Sequence, residues 1–182
     1  MRPFNPAHEG FLCGEGGAAL VLESHERALE RGVDPIAEVC STVVYGSNSV
    51  VKSVERGARR ALKGAGIEAA DISAVIASAN GSKTDLHEGE GLGRVFSKGL
   101  PVSSIKHLTG ESFGTSTLMS VIASALSLKM GRVLPNRDPG QAGTEWSWAS
   151  FPASSTSREI TRVLVSSTGL LDEAAFSVLK RL

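Results

Sequence analysis

Residues 74–79 (AVIASA) form an apolar run with no polar alternation. A strand of that kind cannot show either face to water, so it has to lie inside a sheet covered on both sides. The segments around it switch between the two periodicities such a layered fold needs. Residues 36–45 (IAEVCSTVVY) are rich in β-branched side chains and predict a second strand. Residues 50–63 carry apolar positions at Val50, Val54, Ala58, Ala61 and Leu62, which is helical spacing, with Gly64 and Gly66 as stops. Residues 18–23 (AALVLE) predict a short strand leading into a charged helix over 24–31, with Ser24 as N-cap and Gly32 at its end.

Further along, a short helix is predicted over 85–96, a strand over 101–104 and a long helix rich in small residues over 111–130. Residues 135–157 hold Pro, Gly, Trp and Ser without periodicity and predict an irregular excursion. Two closing strands, 161–167 and 174–179, flank a turn near Gly169. The order predicts an α/β fold, a mixed five-stranded sheet layered with helices. With no internal repeat or low-complexity linker, residues 1–182 are expected to make one domain.

Charge and composition narrow the function classes. Lys+Arg and Asp+Glu are both 19, so nothing in the balance points to nucleic acid or to an anionic membrane surface. Aromatics at 5% leave too few side chains for a base-stacking platform. Hydrophobic residues at 41% over 182 residues are enough for a sizeable core. Cys13 and Cys40 cannot make a disulfide framework and are expected as free, buried, inert thiols of a cytoplasmic protein. The opening MRPFNP has no apolar stretch of the signal-peptide type. Residues 116–130 are interrupted by Ser116, Ser120, Ser124, Ser127 and Lys129, the pattern of a buried core helix and not of a membrane span.

Several residues invite sharper readings. Gly14-Glu15-Gly16-Gly17 lacks the Lys-Ser/Thr of a phosphate loop, and a tight turn entering a strand explains it better. Gly89, Gly91 and Gly93 follow no strand, which argues against a dinucleotide fingerprint. His87-Glu88-Gly89-Glu90 has metal-ligand residue types but no second His or Cys at helical spacing, so a solvated helix end is the better reading. His107, beside Lys106, is weighed as an acid/base group against an ordinary structural His. Ser112 and Ser116 read as helix-packing serines, since no motif places a His base beside them. Trp146 and Trp148 either pack under the excursion or anchor a partner.

Four stretches, in order, resemble the C-terminal half of the β-ketoacyl-carrier-protein synthases, which have the thiolase fold. Residues 2–17 (RPFNPAHEGFLCGEGG) are similar to the family's RPFDxxRDGFxxGEGA. Residues 75–86 (VIASANGSKTDL) stand where the family has a strand followed by HGTSTxL. Residues 102–111 (VSSIKHLTGE) resemble VSSxKxxxGH and run into a helix and Gly131-Arg-Val-Leu-Pro135, similar to GxxPP. Residues 166–179 occupy the place of the closing SFGFGGxNxxxxL hairpin.

The resemblance implies a decarboxylative condensation in which a Cys thiolate takes an acyl group and two His residues stabilise the enolate. It implies no cofactor and no metal. That Cys lies upstream of the RPF motif in the family, so the nucleophile is not expected here. Asn80 stands at the first His position and Glu111 at the second, while Lys106 keeps the family's residue type. Asn80 can donate a hydrogen bond but cannot exchange a proton near neutral pH. Glu111 brings negative charge to where enolate charge should build up, unless burial protonates it. Thr168, Gly169 and Leu170 replace the Gly-rich acyl gate.

The expectation is a non-catalytic, chain-length-factor-like subunit of fatty acid or polyketide biosynthesis. A thiolase fold has two similar halves, so one half alone should leave an apolar face uncovered. The implied partners are an N-terminal ketosynthase-like half on a separate chain, an active ketosynthase and, through them, an acyl carrier protein; neither nucleic acid nor membrane is expected. The alternative is a composite acyltransferase site of the β-ketoacyl synthase type whose Cys comes from a partner chain.

Overall fold

The computed structural model describes residues 1–5, 7, 10–97, 99–138 and 146–182. Strand β2 (Ala74–Ile76) is buried at every position and lies inside a six-stranded sheet, as its composition demands. The other strands of that sheet are β1 (Glu38–Gly46), β3 (Leu100–Ser103), β5 (Ala149–Ser150), β7 (Arg162–Thr168) and β8 (Glu173–Lys180), in the order β1-β8-β7-β2-β3-β5. β1, β8 and β7 pair antiparallel, whereas β7, β2, β3 and β5 run parallel. The mixed α/β layering is as expected, and the sheet gains β5 from within the excursion. A small ribbon of β4 (Arg132–Val133) and β6 (Thr156–Ser157) lies apart from it. Residues 139–145 of the excursion lie outside the described residues.

Alternation along the strands divides the core in two. Val75, Leu164, Phe176 and Val178 face helix α2 (Val50–Ala65), while Ile76, Val163, Val165 and Leu179 face the opposite way with Leu128. Burial of each such side chain contributes about 1.5–3 kcal/mol. Helix α2 ends at Gly66, whose φ of 66° is left-handed; Gly64 is merely carried inside the helix. Gly57 lets the Phe176 ring lie directly on the α2 backbone. Helix α1 (His25–Glu30) starts at Ser24, whose hydroxyl accepts from Arg27 N at 3.3 Å.

Three expectations need correction. Residues 18–23 are not a strand: 19–23 are exposed, with Val21 at 89% and Leu22 at 74%, and no described residue offers the segment a ladder. A strand needs a neighbour to satisfy its N–H and C=O groups, and this segment has β composition without one. The single helix over 111–130 is instead helix α4 (Lys106–Thr109), a 3₁₀ turn (Phe113–Thr115) and helix α5 (Ser116–Met130). Gly110, at φ 71° and ψ −178°, breaks the helical path, leaving Glu111 in an extended bridge to Cys13. Cys13 is exposed and Cys40 only half-buried, so neither is the buried thiol expected. Cys13 pairs through its backbone to Glu111 and leaves its side chain uncovered.

Helix α5 is covered on one side only. It turns Ser116, Ser120, Ser124 and Ser127 inward and leaves Leu126 and Met130 exposed, with Leu118 and Ile122 half-buried. The serines and Leu128 face the sheet and let the helix approach it closely, whereas Leu126 and Met130 face away from it. A helix this apolar all round ordinarily has protein on both sides.

Candidate functional site

The loop ends of β2, β3 and β7 meet α4 and the start of α5 around one cavity of about 640 Å³. Its polar floor holds Ser78, Asn80, Lys106, Glu111 and Ser116, and its rim carries the apolar side chains of Phe11, Val44, Phe113, Leu170 and Leu171 alongside Thr84, Thr117 and Glu173. Phe11 and Phe113 meet edge-on at 6.0 Å between ring centres on one side. Thr168, Gly169, Leu170 and Leu171 form the opposite lip, with both leucines exposed. Thus Asn80, Lys106, Glu111 and the three residues at the gate position share one cavity.

Glu111 is the hub of the floor. Its Oε2 accepts from Lys106 Nζ at 2.6 Å and from Asn80 Nδ2 at 2.9 Å. Its Oε1 accepts from Ser116 Oγ at 2.7 Å and Phe113 N at 3.1 Å. Burial pushes this carboxyl up, but hydrogen bonds from Lys106, Ser116 and Asn80 outweigh it and leave the value below the ordinary one. Glu111 is therefore ionised, and its charge is matched by the buried Lys106 ammonium. The protonation by burial considered from sequence does not occur.

Glycine makes this placement possible. Gly14 N donates to Glu111 O at 2.9 Å and Glu111 N to Leu12 O at 2.8 Å. A Cβ on Gly14 would run into the Thr109 carbonyl oxygen, and one on Gly110 would stand 2.7 Å from Gly14 Cα. Gly14 thus serves backbone contact between two segments and not the tight turn expected of it.

A second polar layer lies behind the floor. Lys106 Nζ also donates to Ser78 Oγ at 3.1 Å. Ser78 N and Ser166 Oγ donate to Glu88 Oε1 at 2.9 and 2.6 Å, while Glu88 Oε2 has no partner. Burial pushes the Glu88 carboxyl up to about 7, against the hydrogen bonds from Ser166 and Ser78. Asp85 takes backbone N–H bonds from Phe4 at 2.9 Å, Asn80 at 2.9 Å and Gly81 at 3.0 Å, tying the RPFN segment to the Asn80 loop. Burial raises the Asp85 carboxyl, and these three donors offset part of that. Asn136 bridges Ser104 N, at 3.0 Å, and Val102 O, at 2.8 Å, holding the end of β3 from which α4 starts.

Sequence reasoning missed Glu88, placing it in a solvated helix end. It lies on the inner face of helix α3 (Thr84–Gly93) with Asp85, Gly89 and Leu92. The spacing 85, 88, 89, 92 was the available signal: two acids sharing a helical face with Gly and Leu. Trp146 packs on Gly89 and Trp148 on Gly93, which selects packing under the excursion for both. His107 Nδ1 lies 2.8 Å from Ser104 O and does not line the cavity. Among the described residues no group of three or more His, Cys, Asp or Glu side chains is placed to hold a metal, and no helix is long and apolar enough to cross a membrane.

Both the sequence and the fold have counterparts among known proteins. Residues 44–138 match the family described as "Beta-ketoacyl synthase, C-terminal domain". The chain belongs to the β-ketoacyl synthase family through that C-terminal domain. It is 31% identical over 196 residues to the 3-oxoacyl-[acyl-carrier-protein] synthase 2 of Staphylococcus aureus (strain COL), covering 99% of this chain and 46% of the relative. It is likewise 31% identical over 179 residues to the putative polyketide beta-ketoacyl synthase 1 of Streptomyces halstedii, covering 92% and 42%. Among solved structures, the ishigamide ketosynthase/chain length factor superposes with a TM-score of 0.92 at 26% identity, over 100% of this chain and 47% of that one. The chain thus spans about half the length of the curated relatives it matches.

Proposed function

We propose that this chain is a non-catalytic, chain-length-factor-like C-terminal half that shapes an acyl-binding cavity. The observation that carries this reading is the cavity lining: among the described residues it contains neither Cys nor His. Of the two positions where the resemblance puts enolate-stabilising His residues, one holds Asn80, whose amide is committed to Glu111, and the other holds Glu111 itself, paired with Lys106. A nucleophile and a proton-exchanging base are both needed for the family's condensation. The apolar side chains of the rim and the polar floor suit an acyl chain with a polar thioester end.

The partner side of the proposal rests on the uncovered surfaces. The outer face of α5 and the extended segment 18–23 expose Leu20, Val21, Leu22, Leu126 and Met130. An N-terminal ketosynthase-like half, which we place on a separate polypeptide, covers these surfaces; an active ketosynthase completes the complex and delivers acyl carrier protein. Solved relatives described as a ketosynthase/chain length factor, and as a ketosynthase in complex with an acyl-carrier protein, support partners of this kind.

The test is co-purification followed by assay. Co-expression with such an N-terminal half and an active ketosynthase should yield a heteromer whose condensation rate per folded complex is unchanged by Asn80→Ala and by Lys106→Met/Glu111→Gln in this chain, the latter leaving no buried charge unmatched. A soluble monomer that takes up no partner would refute the pairing. Rates that collapse in the two variants would favour a composite acyltransferase site with its Cys on a partner chain.

A further inference from the structure

The cavity floor is organised around a carboxylate. Four donors converge on Glu111: Lys106 Nζ, Asn80 Nδ2, Ser116 Oγ and Phe113 N. Four is the number an ionised carboxyl accepts along its lone-pair directions. The donors are also anchored independently of Glu111. Lys106 is held by Ser78, the Asn80 backbone by Asp85, and Ser116 is the first residue of α5. The same cradle would persist with the carboxylate removed.

We propose that the floor of this cavity is a carboxylate-binding subsite filled by the chain's own Glu111, so that the native cavity refuses a ligand carboxylate and takes only the uncharged acyl part. This deepens the acyl-cavity reading above, because it names which end of the ligand the same site accepts. An incoming carboxylate would meet the Glu111 charge with Lys106 already matched. With the four donors already taken, an incoming carboxylate gains no hydrogen bond to offset its own desolvation, so it binds far more weakly than an uncharged chain. A chain without the terminal carboxylate escapes the penalty and still gains the apolar side chains of the rim.

Truncation of Glu111 should unmask the subsite. Glu111→Ala leaves the Lys106 ammonium and the Asn80 amide buried without an acceptor, which is the costly half of a broken ion pair. A small external carboxylate can restore it. The full chain is compared as wild type, Glu111→Ala and Lys106→Met/Glu111→Ala, by thermal denaturation in sodium acetate and in sodium chloride at equal ionic strength. Wild-type amide NMR is recorded with and without malonate. In Glu111→Ala, acetate at ten times its Kd should raise the midpoint by about 3–6 °C over chloride. The double variant should lose this gain. The wild type should show no acetate-specific gain and no malonate-induced shift at Asn80, Phe113 or Ser116. A Glu111→Ala protein indifferent to acetate, whether folded or unfolded in both salts, overturns the proposal. So does a wild-type cavity that responds to malonate. No partner chain enters this measurement, so its failure and a failure of the pairing reading are separate results.

Discussion

Glu88 makes the stability of this protein depend on pH in the direction opposite to most acidic residues. It is fully buried, one of its oxygens has no partner, and burial pushes its carboxyl up from 4.5 to about 7. Between these values the unfolded chain has released the proton while the folded chain still holds it. Stability therefore falls as pH rises through this window, and the loss is complete above the folded value. At about 1.36 kcal/mol per pH unit, the whole window amounts to about 3 kcal/mol. Glu88→Gln retains an Oε1 acceptor for Ser78 N and Ser166 Oγ but cannot ionise. The fixed cost or gain of placing an amide there is the same at every pH, so the comparison is between profiles and not between single values. Asp85, raised by burial as well, is present in both proteins and largely cancels. Urea unfolding at a series of pH values should show Glu88→Gln gaining on the wild type by about 3 kcal/mol between about pH 4.5 and 8. Parallel profiles would refute the reasoning and mean that Glu88 ionises freely inside the fold.

Other outcomes follow from the same geometry. Lys106→Met leaves the Glu111 charge buried and should cost about 3–5 kcal/mol in chemical denaturation, with much of it recovered in Lys106→Met/Glu111→Gln. Gly14→Ala drives a methyl into the Thr109 carbonyl and should cost about 1–3 kcal/mol. The same variant should shift the Glu111 amide NMR signal, because the Gly14 and Glu111 backbones are bonded. Val21→Asp/Leu22→Asp alters side chains already exposed, so the isolated chain should stay within about 0.5 kcal/mol of wild type. Retention of the N-terminal half on an affinity column should nonetheless be lost in that variant.

Local patterns carried much of the fold. The apolar spacing of α2 and the doubly covered strand β2 are legible because 3.6-residue and uninterrupted apolar patterns leave few other ways to bury those side chains. The closing hairpin β7–β8 is legible for a similar reason, with two β-rich runs around a turn. The cavity's membership was readable too, since Asn80, Lys106, Glu111 and Thr168–Leu170 stand at positions of recognisable motifs. What those residues do to one another was not. Whether Glu111 is charged depends on Lys106, Asn80 and Ser116 converging within hydrogen-bond range, and residues 80 and 111 are 31 apart in the chain.

Tertiary structure alone decided the rest. β5 is two residues long and becomes a strand only because the edge of β3 is there to pair with it. The opposite case is residues 18–23, a strand by composition that stays extended because no described neighbour supplies a ladder. Glu88 reads as a surface acid until α3 is laid against the sheet, when burial, not residue type, sets its proton affinity. Sequence alone determined which segments must be covered on both faces and which motif positions gather at the site. Only the fold determined which backbone groups and charges find partners, because pairing and desolvation depend on distances between segments remote in sequence.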